Sequence, residues 1–150
     1  MTSPVSRVDA AHAAVLAALH GDVFPHAAWN EAAFATLLNQ PGSLALIHEA
    51  GGFLLLRVVL DEAEILTFGT VQKRHGIGRA LLHEGLIRLQ QANVETLYLE
   101  VAARNEAAKC FYETFGFGLT GRRKAYYEDG DDALMMCLLC SKPRGTESND

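Results

Sequence analysis

Between residues 63 and 101 the chain runs strand, glycine-rich loop, helix, strand, and this order constrains the fold more than any other stretch. Residues 63–68 are largely apolar. Residues 71–75 are polar and basic. Residues 76–91 have helical spacing, with Gly78, Leu82, Gly85, Leu86 and Leu89 on one stripe. Residues 96–101 alternate, with Leu97, Leu99 and Val101 on one face and Tyr98 and Glu100 on the other. Two strands joined through a helix lie parallel in one sheet, with a right-handed crossover.

The flanking sequence predicts different pairing. Residues 44–47, 53–60 and 63–68 are apolar runs separated only by Glu49-Ala50-Gly51-Gly52 and Asp61-Glu62. Turns that short make antiparallel neighbours. Upstream, residues 8–20 read as a helix ended by Gly21, and residues 29–38 as a second helix. Downstream, residues 105–115 place Ala108, Phe111, Tyr112 and Phe115 at helical spacing, with Gly116 as the stop. Residues 117–123 and 133–139 read as a last strand pair around the acidic loop 128–132. The expectation is one α+β domain over residues 1–140, a mixed and mostly antiparallel sheet with one parallel βαβ crossover and flanking helices. Residues 141–150 form a polar tail expected to be disordered.

Composition excludes several functions. Among 150 residues, 18 Asp+Glu against 13 Lys+Arg leave a net charge of −5, which argues against a general nucleic-acid binder. No apolar run is long enough to span a membrane, and Met1-Thr2-Ser3-Pro4 does not begin a secretory signal. Three cysteines cannot all pair with one another, which favours a reducing, cytoplasmic setting. Cys137-x-x-Cys140 lacks the second pair that a structural zinc site needs, so no metal is expected and packed thiols are. Cys110 has no aligned base that would make it an acyl carrier.

Lys73-Arg74-His75-Gly76-Ile77-Gly78-Arg79 gathers positive charge at a helix start. Glycines there let backbone N–H groups approach an anion, and the helix terminus adds partial positive charge. A P-loop would need Lys-Ser/Thr after its glycines, and Gly78 is followed by Arg79-Ala80. A dinucleotide fingerprint would need a third Gly or Ala where Leu81 stands, although Glu100 sits at about the distance of its ribose-binding acid. Coenzyme A is the third anion with a pyrophosphate to hold.

The loop 73–78 resembles the Q/R-x-x-G-x-G/A motif of the GNAT acetyltransferases, with Lys73 where Gln or Arg is usual and a shorter loop before it. A longer pattern is similar to the branch of that family that acetylates the N-terminal alanine of a ribosomal protein. It comprises Leu97-Tyr98-Leu99-Glu100-Val101, Asn105, Phe111-Tyr112-Glu113, Phe115-Gly116-Phe117, Arg122-Arg123 and Tyr126-Tyr127. Asp132-Ala133 and Met136 fit as well, and Phe24-Pro25, Trp29 and Phe34 resemble the N-terminal segment. The resemblance implies a GNAT fold, acetyl-CoA as cosubstrate and a protein N-terminal peptide, of a ribosomal protein, as acceptor.

Site residues follow from the same resemblance. Arg74, His75, Gly76, Ile77, Gly78 and Arg79 would hold the pyrophosphate. Backbone groups of Phe68, Gly69 and Thr70 would pair with the pantetheine arm like an added strand, with an amide of this strand as oxyanion donor. Asn105 would cap its helix or bind that arm. Glu100 would be the general base and Tyr112 the acid that protonates the departing thiolate. Spacing alone leaves Glu100 a solvated strand-end carboxylate, and leaves Tyr112 a core residue of an apolar stripe. Tyr126 and Tyr127 could wall a peptide groove or simply be turn aromatics. Asp129, Asp131 and Asp132 could attract a charged N-terminus or form a solvated loop. Two other functions stay open at this point: acetylation of a small-molecule amine or lysine side chain, and a non-catalytic acyl-CoA-binding module.

Overall fold

The computed structural model of the chain describes residues 3–73 and 76–140. Its strands are β1 (Val5–Val8), β2 (Ser43–His48), β3 (Gly52–Val59), β4 (Glu62–Thr70), β5 (Thr96–Ala102), β6 (Gly118–Arg123) and β7 (Ala133–Leu139). Its helices are α1 (Ala13–Val23), α2 (Glu31–Leu38), α3 (Ile77–Gln91) and α4 (Glu106–Thr114). The tail 141–150, with Arg74 and His75, lies outside the described residues.

All strands join one sheet in the order β1-β2-β3-β4-β5-β7-β6. Every pairing is antiparallel except β4 with β5, as the short turns and the crossover helix require. The central strand β3 explains its unbroken apolar run. Phe53, Leu54, Leu55 and Leu56 all have 0% exposure, because helices cover both faces of the sheet at this strand. Leu54 and Leu56 meet α3, together with Leu46, Leu81, Leu82 and Leu97. Phe53 and Leu55 meet α1 and α2 through Leu16 and Phe34.

Local chemistry sets the boundaries. Asn30 and Asn105 cap α2 and α4, each side chain accepting from the N–H three residues on, at 2.8 and 3.1 Å. Gly116, at φ +103°, follows α4 where a side chain would be strained.

Three expectations are corrected. The chain begins with edge strand β1, paired to β2; only Val5 of its four residues is buried, so no alternation marks it. The first helix is therefore shorter at its start, where Asp9 caps a single 3-10 turn. Gly21 does not end α1, which continues to Val23; nothing but the Ala28 side chain lies near Gly21, while His20 is buried beside it. The buried stripe of α3 is Ile77, Leu81, Leu82, Gly85 and Leu89, with Leu86 packed at its margin and Gly78 off it. Gly85 lies over β3, where a Cβ would come within 2.9 Å of Leu54 Cδ2. Gly78 is thereby freed to face another direction.

Leu97 is fully buried where β4 and β5 are still paired, opposite Ala63. Truncation to Leu97→Ala is expected to lower the unfolding free energy by about 2–5 kcal/mol, read by urea denaturation.

Candidate active site

β4 and β5 pair over only three positions, Glu62–Thr96, Ala63–Leu97 and Glu64–Tyr98. Beyond these, β4 stays with β3 and β5 stays with β7. The β3–β4 register shifts so that Thr67 faces Leu55 and Ile65 faces Leu56, which leaves Leu66 as an extra residue in β4. Such a bulge bends its strand and changes its twist. The sheet consequently opens between residues 65–70 of β4 and residues 99–102 of β5, forming a cleft of about 980 Å³. Along this stretch β4 has no strand partner on its β5 side among the described residues, so its backbone groups there can receive an extended ligand.

The cleft has two differently built sides. On the α3–α4 side it is lined by Phe68, Gly78, Asn105, Phe111 and Tyr112; on the other by Val23, Phe24, Glu100 and Tyr127. Alternation along β5 causes the division. Leu99 and Val101 are buried in the α3–α4 core, so Glu100 between them must emerge on the opposite face.

The glycine loop meets the cleft at the start of α3. Gly76 precedes the helix at φ +75°, and no side chain caps it. The leading N–H groups, those of Ile77, Gly78 and Arg79, are the helix's unpaired donors. They carry the positive end of a 15-residue helix. Gly78 faces the cleft: a Cβ there would sit 3.5–3.6 Å from Phe68, Phe111 and Thr70. Lys73 and Arg79 also line the cleft. The Arg79 guanidinium lies 5.6 Å from the centre of the Phe115 ring, a cation–π arrangement that tethers it beside α4. The structure thus brings Phe68, Gly69, Thr70, Gly76, Ile77, Gly78, Arg79 and Asn105 to one cleft. Arg74 and His75 lie outside the described residues.

Gly69 is required by close approach. A Cβ at this position would come within 2.7 Å of Val23 Cγ1 and 3.1 Å of Phe53. The end of β4 is therefore pressed against the end of α1. That end is held by an aromatic cluster: His20, 3% exposed, has ring centres of Phe24 and Trp29 at 4.9 Å, Phe34 at 5.4 Å and Phe53 at 5.5 Å. His20 Nδ1 accepts the Trp29 N–H at 3.1 Å, and burial lowers its pKa.

Tyr112 sits half-buried among Phe68, Phe111 and Phe117. Burial pushes its phenol up to about 12, so it keeps its proton at neutral pH. Tyr127 is the neighbour that the sequence left ambiguous. Its hydroxyl donates to Glu100 Oε1 at 3.0 Å, and burial, then this bond, raise it to about 12. Tyr126 instead points outward, half exposed, under the Arg123 guanidinium at 5.4 Å.

The acidic loop fits neither sequence reading at Asp131 and Asp132. Asp131, 6% exposed, accepts the Arg104 N–H at 3.0 Å, and Asp132 accepts the Ala125 N–H at 2.8 Å and pairs with Arg122 at 3.0 Å. These carboxylates are consumed inside the molecule. Their alternation with Gly130 gave no hint of burial. Among the described residues no group of three or more His, Cys, Asp or Glu is placed to hold a metal ion. The Cys140 thiol is buried, and burial raises it to about 11. No helix among the described residues is long and apolar enough to cross a membrane.

A sheet opened between two parallel strands, with a glycine-led helix start and the cations Lys73 and Arg79 at its mouth, has counterparts among known proteins. Residues 12–139 match the acetyltransferase (GNAT) domain. The [ribosomal protein bS18]-alanine N-acetyltransferase of Escherichia coli (strain K12) is 36% identical, over 83% of this chain and 90% of that protein. The N-alpha-acetyltransferase RimI of Mycobacterium tuberculosis is 34% identical, over 88% of this chain and 87% of that protein. The crystal structure of the Escherichia coli ribosomal-protein-S18-alanine N-acetyltransferase superposes with a TM-score of 0.82 at 31% identity, covering 93% of this chain and 94% of that one. The chain belongs to the GNAT acetyltransferases and, within them, to the [ribosomal protein bS18]-alanine N-acetyltransferase family.

The His20 cluster carries a pH prediction. Its lowered pKa means the unfolded chain binds the proton more readily, so stability is complete above about pH 6.5 and falls as pH drops below it. A His20→Asn variant, which keeps an acceptor for the Trp29 N–H, is expected to show a flatter decline of thermal midpoint between pH 6.5 and 5 than the parent protein.

Proposed function

We propose that this acetyltransferase moves the acetyl group of acetyl-CoA to the α-amino group of a protein N-terminus, that of a ribosomal protein of the bS18 kind, in the cytoplasm. We read residues 1–140 as the single domain that does so. The observation that carries the reading is the two-sided cleft, with Tyr112 on one side of the parted strands and Glu100 on the other. A thioester donor and an amine acceptor need to meet from different directions, and an opening through a sheet provides that.

On the α3–α4 side, Gly76, Ile77, Gly78 and Arg79 would hold the pyrophosphate through backbone N–H groups and charge. The exposed edge of β4 at Phe68, Gly69 and Thr70 would pair with the pantetheine arm, and Asn105 would flank it. On the other side Glu100 would accept a proton from the incoming ammonium, directly or through water. The free amine then attacks the thioester carbon. A C–N bond forms, and the carbonyl oxygen becomes an oxyanion stabilised by a β4 amide. Collapse breaks the C–S bond, and Tyr112, still protonated at neutral pH, gives its proton to the thiolate; the second proton shed by the amide nitrogen passes through water to restore the phenol. An α-amino group ionises near 8, against about 10.4 for lysine, so the N-terminus is the easier nucleophile for a single carboxylate to prepare.

Glu100→Gln and Tyr112→Phe are each expected to lower kcat/KM for a peptide substrate by about 100-fold or more. Wild-type values in both would refute the assigned roles. Mass spectrometry of matched peptides is expected to find the label on a free N-terminus and none on a lysine-containing peptide with a blocked one.

A further inference from the structure

Reading Glu100 as the base leaves open what aims it. A glutamate on an exposed strand end has several free torsions, and proton transfer requires one geometry. We propose that Tyr127 is a positioning residue for Glu100: its hydroxyl fixes Oε1 at 3.0 Å and thereby presents Oε2 to the acceptor amine. No hydrogen bond to Oε2 is found among the described residues. Tyr127 lines the cleft, whereas its neighbour Tyr126 is turned away against Arg123.

The β6–β7 loop is built to keep Tyr127 in place. The Tyr127 N–H donates to the Asp131 carbonyl at 3.1 Å, and the Gly130 N–H donates to the Tyr127 carbonyl at 2.9 Å. Asp131 then fastens the loop to the turn after β5, where its carboxylate accepts the Arg104 N–H at 3.0 Å. The Ala103 N–H donates to the Asp132 carbonyl at 2.9 Å, a second bond across the same junction. Glu100 lies on β5 just ahead of that turn. Base and phenol are thus referenced to one backbone junction, through the buried Asp131. Fixing a side chain by a second hydrogen bond is a common way to hold a catalytic group within a narrow range of geometry.

The inference rests on Glu100 acting as base, and a double-mutant cycle separates the two. Steady-state kinetics would be measured for the parent, Tyr127→Phe, Glu100→Ala and the double variant, with a free-N-terminus peptide and acetyl-CoA. Tyr127→Phe is expected to lower kcat about tenfold, the size of one charge-assisted hydrogen bond, and to leave KM for acetyl-CoA unchanged. In the Glu100→Ala background the same change is expected to cost less than about twofold, because the partner is gone. Asp131→Asn, which loosens the loop without touching the phenol, is expected to lose kcat in the parent background and not in Glu100→Ala. An equal fold-loss in both backgrounds, or a raised peptide KM with unchanged kcat, would overturn the positioning role and make Tyr127 a groove wall. If Glu100→Ala itself turned over like the parent, the base assignment would fail, and the inference with it. If Glu100→Ala lost activity while Tyr127→Phe lost none, the inference alone would fail.

Discussion

The parting of β4 from β5 is the constraint on which the site depends. Two strands that were paired throughout would close the sheet and bury their edges. Here pairing stops after Glu64 and Tyr98, and neither strand is orphaned, because β3 and β7 hold the other edges. The extra residue in β4 bends that strand, and the crossover helix α3 keeps both strands in one sheet. An opening results whose walls are regular secondary structure. Side chains on alternate positions of β5 therefore report to opposite sides of the sheet, which separates Glu100 from the apolar α3–α4 face and from Tyr112.

Electrostatics follows the same division. The chain is acidic overall, with a net charge of −5, yet the α3 start concentrates glycines, a helix terminus and the cations Lys73 and Arg79 at one end of the cleft. Two carboxylates of the β6–β7 loop, Asp131 and Asp132, are bound to backbone N–H groups and arginines. Both phenols at the cleft stay protonated well above neutral pH, one through burial alone and one through burial and the Glu100 bond. Each can therefore act as a hydrogen-bond donor on its own side.

Much of this was legible in the sequence, for physical reasons. Short turns announced the antiparallel meander, and the loop-helix-strand order announced the crossover. The alternation of Leu97, Tyr98, Leu99, Glu100 and Val101 separated the two faces of β5 correctly. Edge strand β1 was not legible, because it buries only Val5. Gly21 misled because burial of its neighbours outweighs a glycine's modest helix penalty, about 1 kcal/mol. The α3 stripe was read correctly at Leu82, Gly85 and Leu89 but missed Ile77 and Leu81, because Gly78, small and apolar, looks like core when it faces the cleft. Tyr127 and Asp131 were candidates in the sequence, but the hydrogen bonds they make were beyond reach for another reason. Their partners, Glu100 and Arg104, are 27 residues away in each case, and no local pattern encodes a hydrogen bond across that separation.

In the proposed reaction donor and acceptor reach each other through the sheet. A crystal structure with a bisubstrate conjugate, coenzyme A joined through an acetyl bridge to an N-terminal peptide, tests it most directly. The coenzyme is expected against Gly76, Gly78 and Tyr112, the peptide against Phe24, Glu100 and Tyr127, and the bridge between β4 and β5. Coenzyme and peptide lying on the same face of the sheet, with the opening unused, would contradict it.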